Sequence, residues 1–217
     1  MVYKRSVGLT LMLPLKRKPY GRGGKREEQR EATKTALLDA TERLFASSDA
    51  RSVTVTDIAK EAGVSTSLIN VYFAGKDGLL YALVTRHNEP QNEPARRIVA
   101  GKAKPRKKLD ALIRHYTEAD LRNPLLLAAM QSYSWVWPNE TEAHNRAVRA
   151  EHERLIETVI REGIESGDFR PDIDVARSVT SIWAIYTWGL RPGVFEGKTP
   201  AECADQIIKQ VGDLLDG

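Results

Sequence analysis

The chain has 217 residues, 41% of them hydrophobic and 29% charged, the balance of a globular chain with one sizeable core or a large domain carrying a small one. No apolar run reaches the roughly 20 residues that span a bilayer, and a single cysteine, Cys203, excludes a disulfide framework within the chain and fits a reducing, cytoplasmic setting. The net charge of +4 conceals an asymmetry: residues 1–26 hold eight Lys and Arg and no acid, so the remainder sums to −4.

Residues 1–27 read as a basic, flexible arm. Such an arm either reaches a polyanion or is a solvated tail, and composition alone leaves both open. MVYKRSVGLTLMLPL has the basic start and short apolar run of a weak signal peptide. The lack of a small-residue cleavage site and the following Lys16-Arg17-Lys18 argue against secretion, and Met12 is an alternative start. From Glu28 to Ala46, Ala36, Leu37, Ala40, Leu44 and Phe45 fall on one helical face, and Ser47-Ser48-Asp49 ends the run.

Thr54-Val55-Thr56-Asp57 has the form of a capping box, which starts a helix of about two turns carrying Ile58 and Ala62. Gly63 ends it, where a left-handed backbone suits glycine. Val64 fills the corner and Ser65 caps a second short helix, which runs to about Tyr72. Helix, glycine turn and capped helix together make a helix-turn-helix. Leu68, Ile69 and Phe73 pack inward, whereas Thr66, Ser67, Asn70 and Tyr72 point outward, with side chains suited to base edges and phosphates in a major groove. Lys76 follows, placed for a phosphate. A capped helical hairpin inside an all-helical enzyme is the competing reading of the same spacing.

The remaining pattern is helical. Pro105, Pro124 and Pro200 open helices near 105–120, 124–136 and 200–215, with Asn123 and Thr199 as caps. Two more helices lie near 140–166 and 173–189, ended by Gly167 and Gly189. Segment 88–104, with Pro90, Pro94 and Gly101, reads as a broken connection. His87, His115, His144 and His152 lack metal-ligand spacing, Cys203 has no base beside it in sequence, and no phosphate loop or nucleophile elbow occurs. We therefore expect no catalytic residues, metal or cofactor.

The stretch VTVTDIAKEAGVSTSLINVYFAGKDGLLYALV resembles the DNA-binding domain of the tetracycline-repressor (TetR) family of bacterial regulators. The resemblance rests on Thr54, Asp57-Ile58-Ala59, Ala62-Gly63-Val64-Ser65, Tyr72-Phe73, Lys76 and Leu79-Leu80, and covers about residues 30–84. It implies an all-α protein: an N-terminal three-helix helix-turn-helix DNA-binding domain over 28–75 and a C-terminal helical ligand-binding and dimerisation domain over 76–217. It implies a dimeric, cytoplasmic repressor released from a palindromic double-stranded operator by a small-molecule inducer. A constitutive regulator without inducer is the alternative. In such proteins the positions of Thr54, Tyr72 and Lys76 hold phosphates, and those of Thr66, Ser67 and Asn70 face bases. Thr56 and Ser65 belong to the same surface, and Arg22, Lys25 and Arg26 are placed to reach a neighbouring minor groove. Two positions depart from the pattern: Ser67 stands where glycine is common, and Asn70 where an aromatic is common.

Tyr116, Met130, Tyr133, Trp135 and Trp137 are candidates to line the inducer pocket, since large apolar side chains with polar handles suit such walls. Val175, Val179, Ile182, Trp183 and Tyr186 form one apolar stripe, and Ile207, Ile208, Val211, Leu214 and Leu215 another. Spacing alone lets the stripes close the core or face a second copy; the resemblance implies a four-helix dimer interface. Asn70 has the geometry to read an adenine bidentately, so Asn70→Ala is expected to lose about 1–3 kcal/mol of discrimination at one base pair. Affinities across a set of point-mutated operators check this; unchanged discrimination removes Asn70 from the readout.

Overall fold

The computed structural model describes residues 23–47 and 52–216. Ten helices occupy them: α1 (Gly23–Ser47), α2 (Val55–Glu61), α3 (Ser67–Phe73), α4 (Lys76–Ala100), α5 (Pro105–Asp120), α6 (Pro124–Ser134), α7 (Asn139–Ser166), α8 (Val175–Gly189), α9 (Arg191–Phe195) and α10 (Pro200–Asp216). No strand occurs among the described residues. The expected starts are formed by the expected groups. The Asn123 side chain accepts from Leu126 N at 3.1 Å, and Thr199 and Glu202 form a reciprocal cap on α10.

Two expectations require correction. Lys25 and Arg26, assigned to the arm, lie in the first turns of α1, because helix begins at Gly23. Arg22 and the rest of the arm fall outside the described residues. Segment 88–104 is not a broken connection: α4 runs through Pro90 and Pro94 to Ala100. Each proline removes one helical donor and would ordinarily kink or end a helix. Here Gln91, Ala95 and Val99 recur on one buried face, and that burial holds the helix together across the prolines. Two polar links also tie this segment down: Gln91 Nε2 donates to the His87 carbonyl at 3.2 Å, and a His115 ring nitrogen meets the Gln91 carbonyl at 3.0 Å.

Two apolar cores result, and α4 enters both. The first joins Leu37 and Phe45 of α1, Ile58 of α2, Ile69 of α3 and Leu79, Leu80, Leu83 and Val84 of α4. Leu126, Ala129 and Met130 of α6 complete it. The second gathers Ala95 and Val99 of α4 with the inner faces of α5, α7, α8 and α10. The boundary expected at residue 76 is therefore not a gap in packing. The half of α4 before Pro90 belongs to the helix-turn-helix, and the half after it to the larger core.

The corner between α3 and α4 is tight. A Cβ added at Gly78 would lie 1.7 Å from the Phe73 carbonyl oxygen, so only glycine lets the first turn of α4 sit against the end of α3. Alanine in a helix interior normally gains about 1 kcal/mol over glycine. Here Gly78→Ala is expected to cost about 1–3 kcal/mol, the scale of overpacking, because backbone must move. Urea unfolding checks the sign; a stabilised variant would show that the corner is loose.

Candidate nucleic-acid interface and internal cavity

The helix-turn-helix is built by its caps. Thr54 Oγ1 accepts from Asp57 N at 3.2 Å, and Asp57 Oδ2 accepts from Thr54 N at 2.9 Å and from the Thr54 hydroxyl at 2.6 Å. The Thr54 hydroxyl and N–H hold the Asp57 carboxyl below its ordinary range. Gly63 turns the chain at φ +68°, as expected. The expected Ser65 side-chain cap does not form: its hydroxyl pairs with that of Ser67 at 2.7 Å. Backbone closes the turn instead, through Leu68 N to Ser65 O at 3.1 Å and Ile69 N to Thr66 O at 3.2 Å.

On α3, Ser67 and Asn70 are exposed and Ile69 is buried, and Thr66, just before the helix, is half-buried. Thr56 and Ser65 are exposed beside them, as are Lys25 and Arg26 on α1. Two residues expected to face outward are partly held inside. Tyr72 is half-buried against the first core, with the Arg30 guanidinium 5.9 Å from its ring centroid. Lys76 donates from Nζ to the Val53 carbonyl at 2.6 Å and lies 5.3 Å from the centroid of Tyr133. Sequence spacing placed Lys76 correctly beside α3; the carbonyl and aromatic face that hold its ammonium come from α2's approach and from α6.

A cavity of about 190 Å³ lies between α4, α5, α6, α7 and α8. Of the five residues expected to line a pocket, Tyr116, Met130 and Trp137 do so. Tyr133 instead packs beneath Lys76, and Trp135 is 89% exposed in the turn after α6. α6 ends at Ser134, two residues short of expectation, and its last turn points those aromatics elsewhere. Trp183 and Tyr186 also line the cavity, although the stripe they share pointed equally to a core. Val179, Ile182, Ile207, Val211 and Leu215 are buried within the chain's own second core, and Val175, Ile208 and Leu214 pack against it. The two stripes thus close this core. The outward line of α8 is Ala176, Thr180, Ala184 and Trp188, all exposed.

Two polar sets lie at the cavity, and sequence could not assemble them, since their members come from four helices. Asp120 Oδ2 accepts from the Tyr186 hydroxyl at 2.7 Å, and its Oδ1 accepts from Gln91 Nε2 at 3.3 Å with His87 Nε2 at 3.4 Å. His152 Nδ1 and the Tyr116 hydroxyl share a hydrogen bond of 2.8 Å. Burial, and then the Asp120 charge, push the Tyr186 hydroxyl pKa well up. Burial pushes His152 down, favouring its neutral form. Cys203 is buried, and its thiol is also pushed up by burial, so it fills space rather than reacting.

A helix-turn-helix with an exposed polar second helix, fused to a larger helical core that holds a cavity, defines the class of one-component DNA-binding regulators. The comparisons agree. The model for bacterial regulatory proteins of the tetR family matches residues 37–83, and that for the tetracyclin repressor-like C-terminal domain matches 102–211, just over half of the chain. The chain belongs to the TetR family of transcriptional regulators. It is 27% identical over 190 residues to the HTH-type transcriptional repressor KstR2 of Rhodococcus jostii, covering 85% of this chain and 90% of that one. Two solved structures share the fold. FadR from Bacillus subtilis, in complex with stearoyl-CoA, has a TM-score of 0.71 at 19% identity, covering 82% of this chain and 96% of that one. The ketosteroid regulator KstR2 of Mycobacterium tuberculosis has a TM-score of 0.66 at 23% identity, covering 85% and 95%. The family and these relatives are regulators, not enzymes. No helix among the described residues is long and apolar enough to cross a membrane.

His152 gives a pH prediction. Its native pKa lies below the ordinary 6.5, so the folded chain binds fewer protons than the unfolded one as pH drops through that value. The His152 contribution is therefore neutral above about pH 7.5 and turns destabilising as pH falls through about 6.5 toward the native pKa. His152→Gln, which titrates nothing, is expected to flatten the decline in urea-unfolding stability between about pH 7.5 and about pH 5.5. An equal decline in both proteins would place the titration elsewhere.

Proposed function

We propose that the chain acts as a homodimeric repressor that leaves a palindromic operator when a small molecule fills the cavity. The observation that carries this reading is that one set of side chains serves both parts. Val84 and Met130 are buried in the helix-turn-helix core and Trp137 packs on it, yet all three line the cavity. At about 190 Å³ the cavity is smaller than the ~300–1,000 Å³ typical of ligand sites. A larger ligand entering there would press on α4 and α6 among its walls, and both helices carry the helix-turn-helix core.

DNA readout is assigned to Thr66, Ser67 and Asn70 on bases, with Thr54, Thr56, Ser65, Tyr72, Lys25, Arg26 and the arm with Arg22 toward the backbone. Lys76, held by Val53 and Tyr133, keeps donors of its ammonium for a phosphate. Residues 27–88 hold nine acids and seven bases, so affinity leans on the arm. The second copy is assigned to the exposed line of α8 and the outer face of α10, which would set the two α3 helices about 34–36 Å apart. The ligand we infer is largely apolar with a hydrogen-bonding end, of the fatty-acyl or steroid kind that the relatives' names carry. Val84, Leu127, Met130 and Val148 would hold its skeleton, and Asn88, Gln131 and Asp120 its polar end.

Fluorescence anisotropy tests the coupling, using duplexes tiled upstream of the chain's own gene, with stearoyl-CoA and a 3-ketosteroid as probes. We expect one tile bound in a saturable, sequence-dependent way, and one probe weakening it about 5- to 150-fold while raising the melting temperature. Trp183→Ala is expected to blunt the probe's effect and keep operator affinity. Tight operator binding that no cavity-filling probe alters would favour a constitutive regulator.

A further inference from the structure

We propose that Val71 reads the 5-methyl group of a thymine in the operator. The inference rests on α3 being the helix that enters the major groove. Val71 is 70% exposed and belongs to neither apolar core. Its position explains this. At about 100° per residue, Val71 lies about 200° around α3 from the buried Ile69, at the centre of the outward face. Ser67, one turn earlier, and Asn70, the preceding residue, are exposed on the same side. A β-branched apolar residue there loses helix propensity and leaves apolar surface in water, with no packing inside its own chain in return.

The major groove supplies one apolar partner among the natural bases, the thymine C5-methyl group. A γ-methyl of Val71 packed on it removes both groups from water. The side chain carries no donor or acceptor, so the methyl group is the one feature of a base edge that it can match. Asn70 reading an adenine next to a thymine seen by Val71 would specify two adjacent positions by two different chemistries, one polar and one apolar.

The test replaces each operator thymine in turn by deoxyuridine, which lacks only that methyl, and measures the full-length protein by anisotropy. We expect one symmetric pair of thymines at which the change weakens wild-type binding about threefold to fivefold per half-site, the factor that burying one methyl gives. Val71→Ala should bind thymine and deoxyuridine duplexes equally. Val71→Thr, which keeps one γ-methyl, should retain part of the discrimination. Three results would overturn the proposal. Wild-type protein indifferent to every deoxyuridine overturns it alone, as does a methyl effect undiminished in Val71→Ala. The absence of any sequence-specific duplex overturns the DNA reading of α3 together with it. Because Val71 is exposed, the alanine variant is expected to keep the wild-type melting temperature, which separates lost readout from lost fold.

Discussion

The structure depends on α4 being one unbroken helix shared by two cores. Before Pro90 its Leu79, Leu80, Leu83 and Val84 are part of the helix-turn-helix interior; after it Ala95 and Val99 are part of the larger domain. A helix is stiff over this length, so a displacement at one half is delivered to the other. Gly78 adds the second half of the constraint: the first turn of α4 sits so close to the Phe73 carbonyl that α3 has no room to slide on it. The orientation of α3 is therefore set by α4.

α6 is a second connection between the same parts. Met130 and Trp137, on and just after it, face the cavity, and Tyr133 faces the Lys76 ammonium. Lys76 in turn holds the Val53 carbonyl, next to the Thr54 cap of α2. A chain of packed side chains and one hydrogen bond thus runs from the cavity wall to the start of the helix-turn-helix. Such a chain transmits only if it has two arrangements that ligand and DNA favour differently. Lys76 is placed to belong to such an element, since its ammonium has donors left over from the Val53 carbonyl that a phosphate would engage.

Ion pairs contribute alignment more than stability. Arg86 on α4 meets Asp39 at 2.6 Å and Glu42 at 3.3 Å on α1, and Arg96 reaches Glu151 on α7. These groups are roughly half-exposed, and such pairs are worth about 0–1 kcal/mol. They fix how α4 is rotated against its neighbours, while apolar burial supplies the free energy. The polar set around Asp120 differs. It is half-buried, more shielded than those pairs, and its members satisfy one another, so removing one leaves a partner unpaired.

The sequence by itself determined the local features: the capping box at Thr54, the turn at Gly63, the proline starts at 105, 124 and 200, and the identity of the helix-turn-helix. These are decided by contacts within a few residues, where side-chain and backbone chemistry act without help from the rest of the chain. Tertiary structure alone decided that α4 survives Pro90 and Pro94, because the compensating burial of Ala95 and Val99 comes from helices tens of residues away. It alone decided that the stripes on α8 and α10 turn inward, that Trp183 and Tyr186 face a cavity while Trp135 faces water, and that Lys76 is held by Val53 and Tyr133. A periodic apolar stripe says which side of a helix seeks cover, but what covers it depends on how distant helices meet.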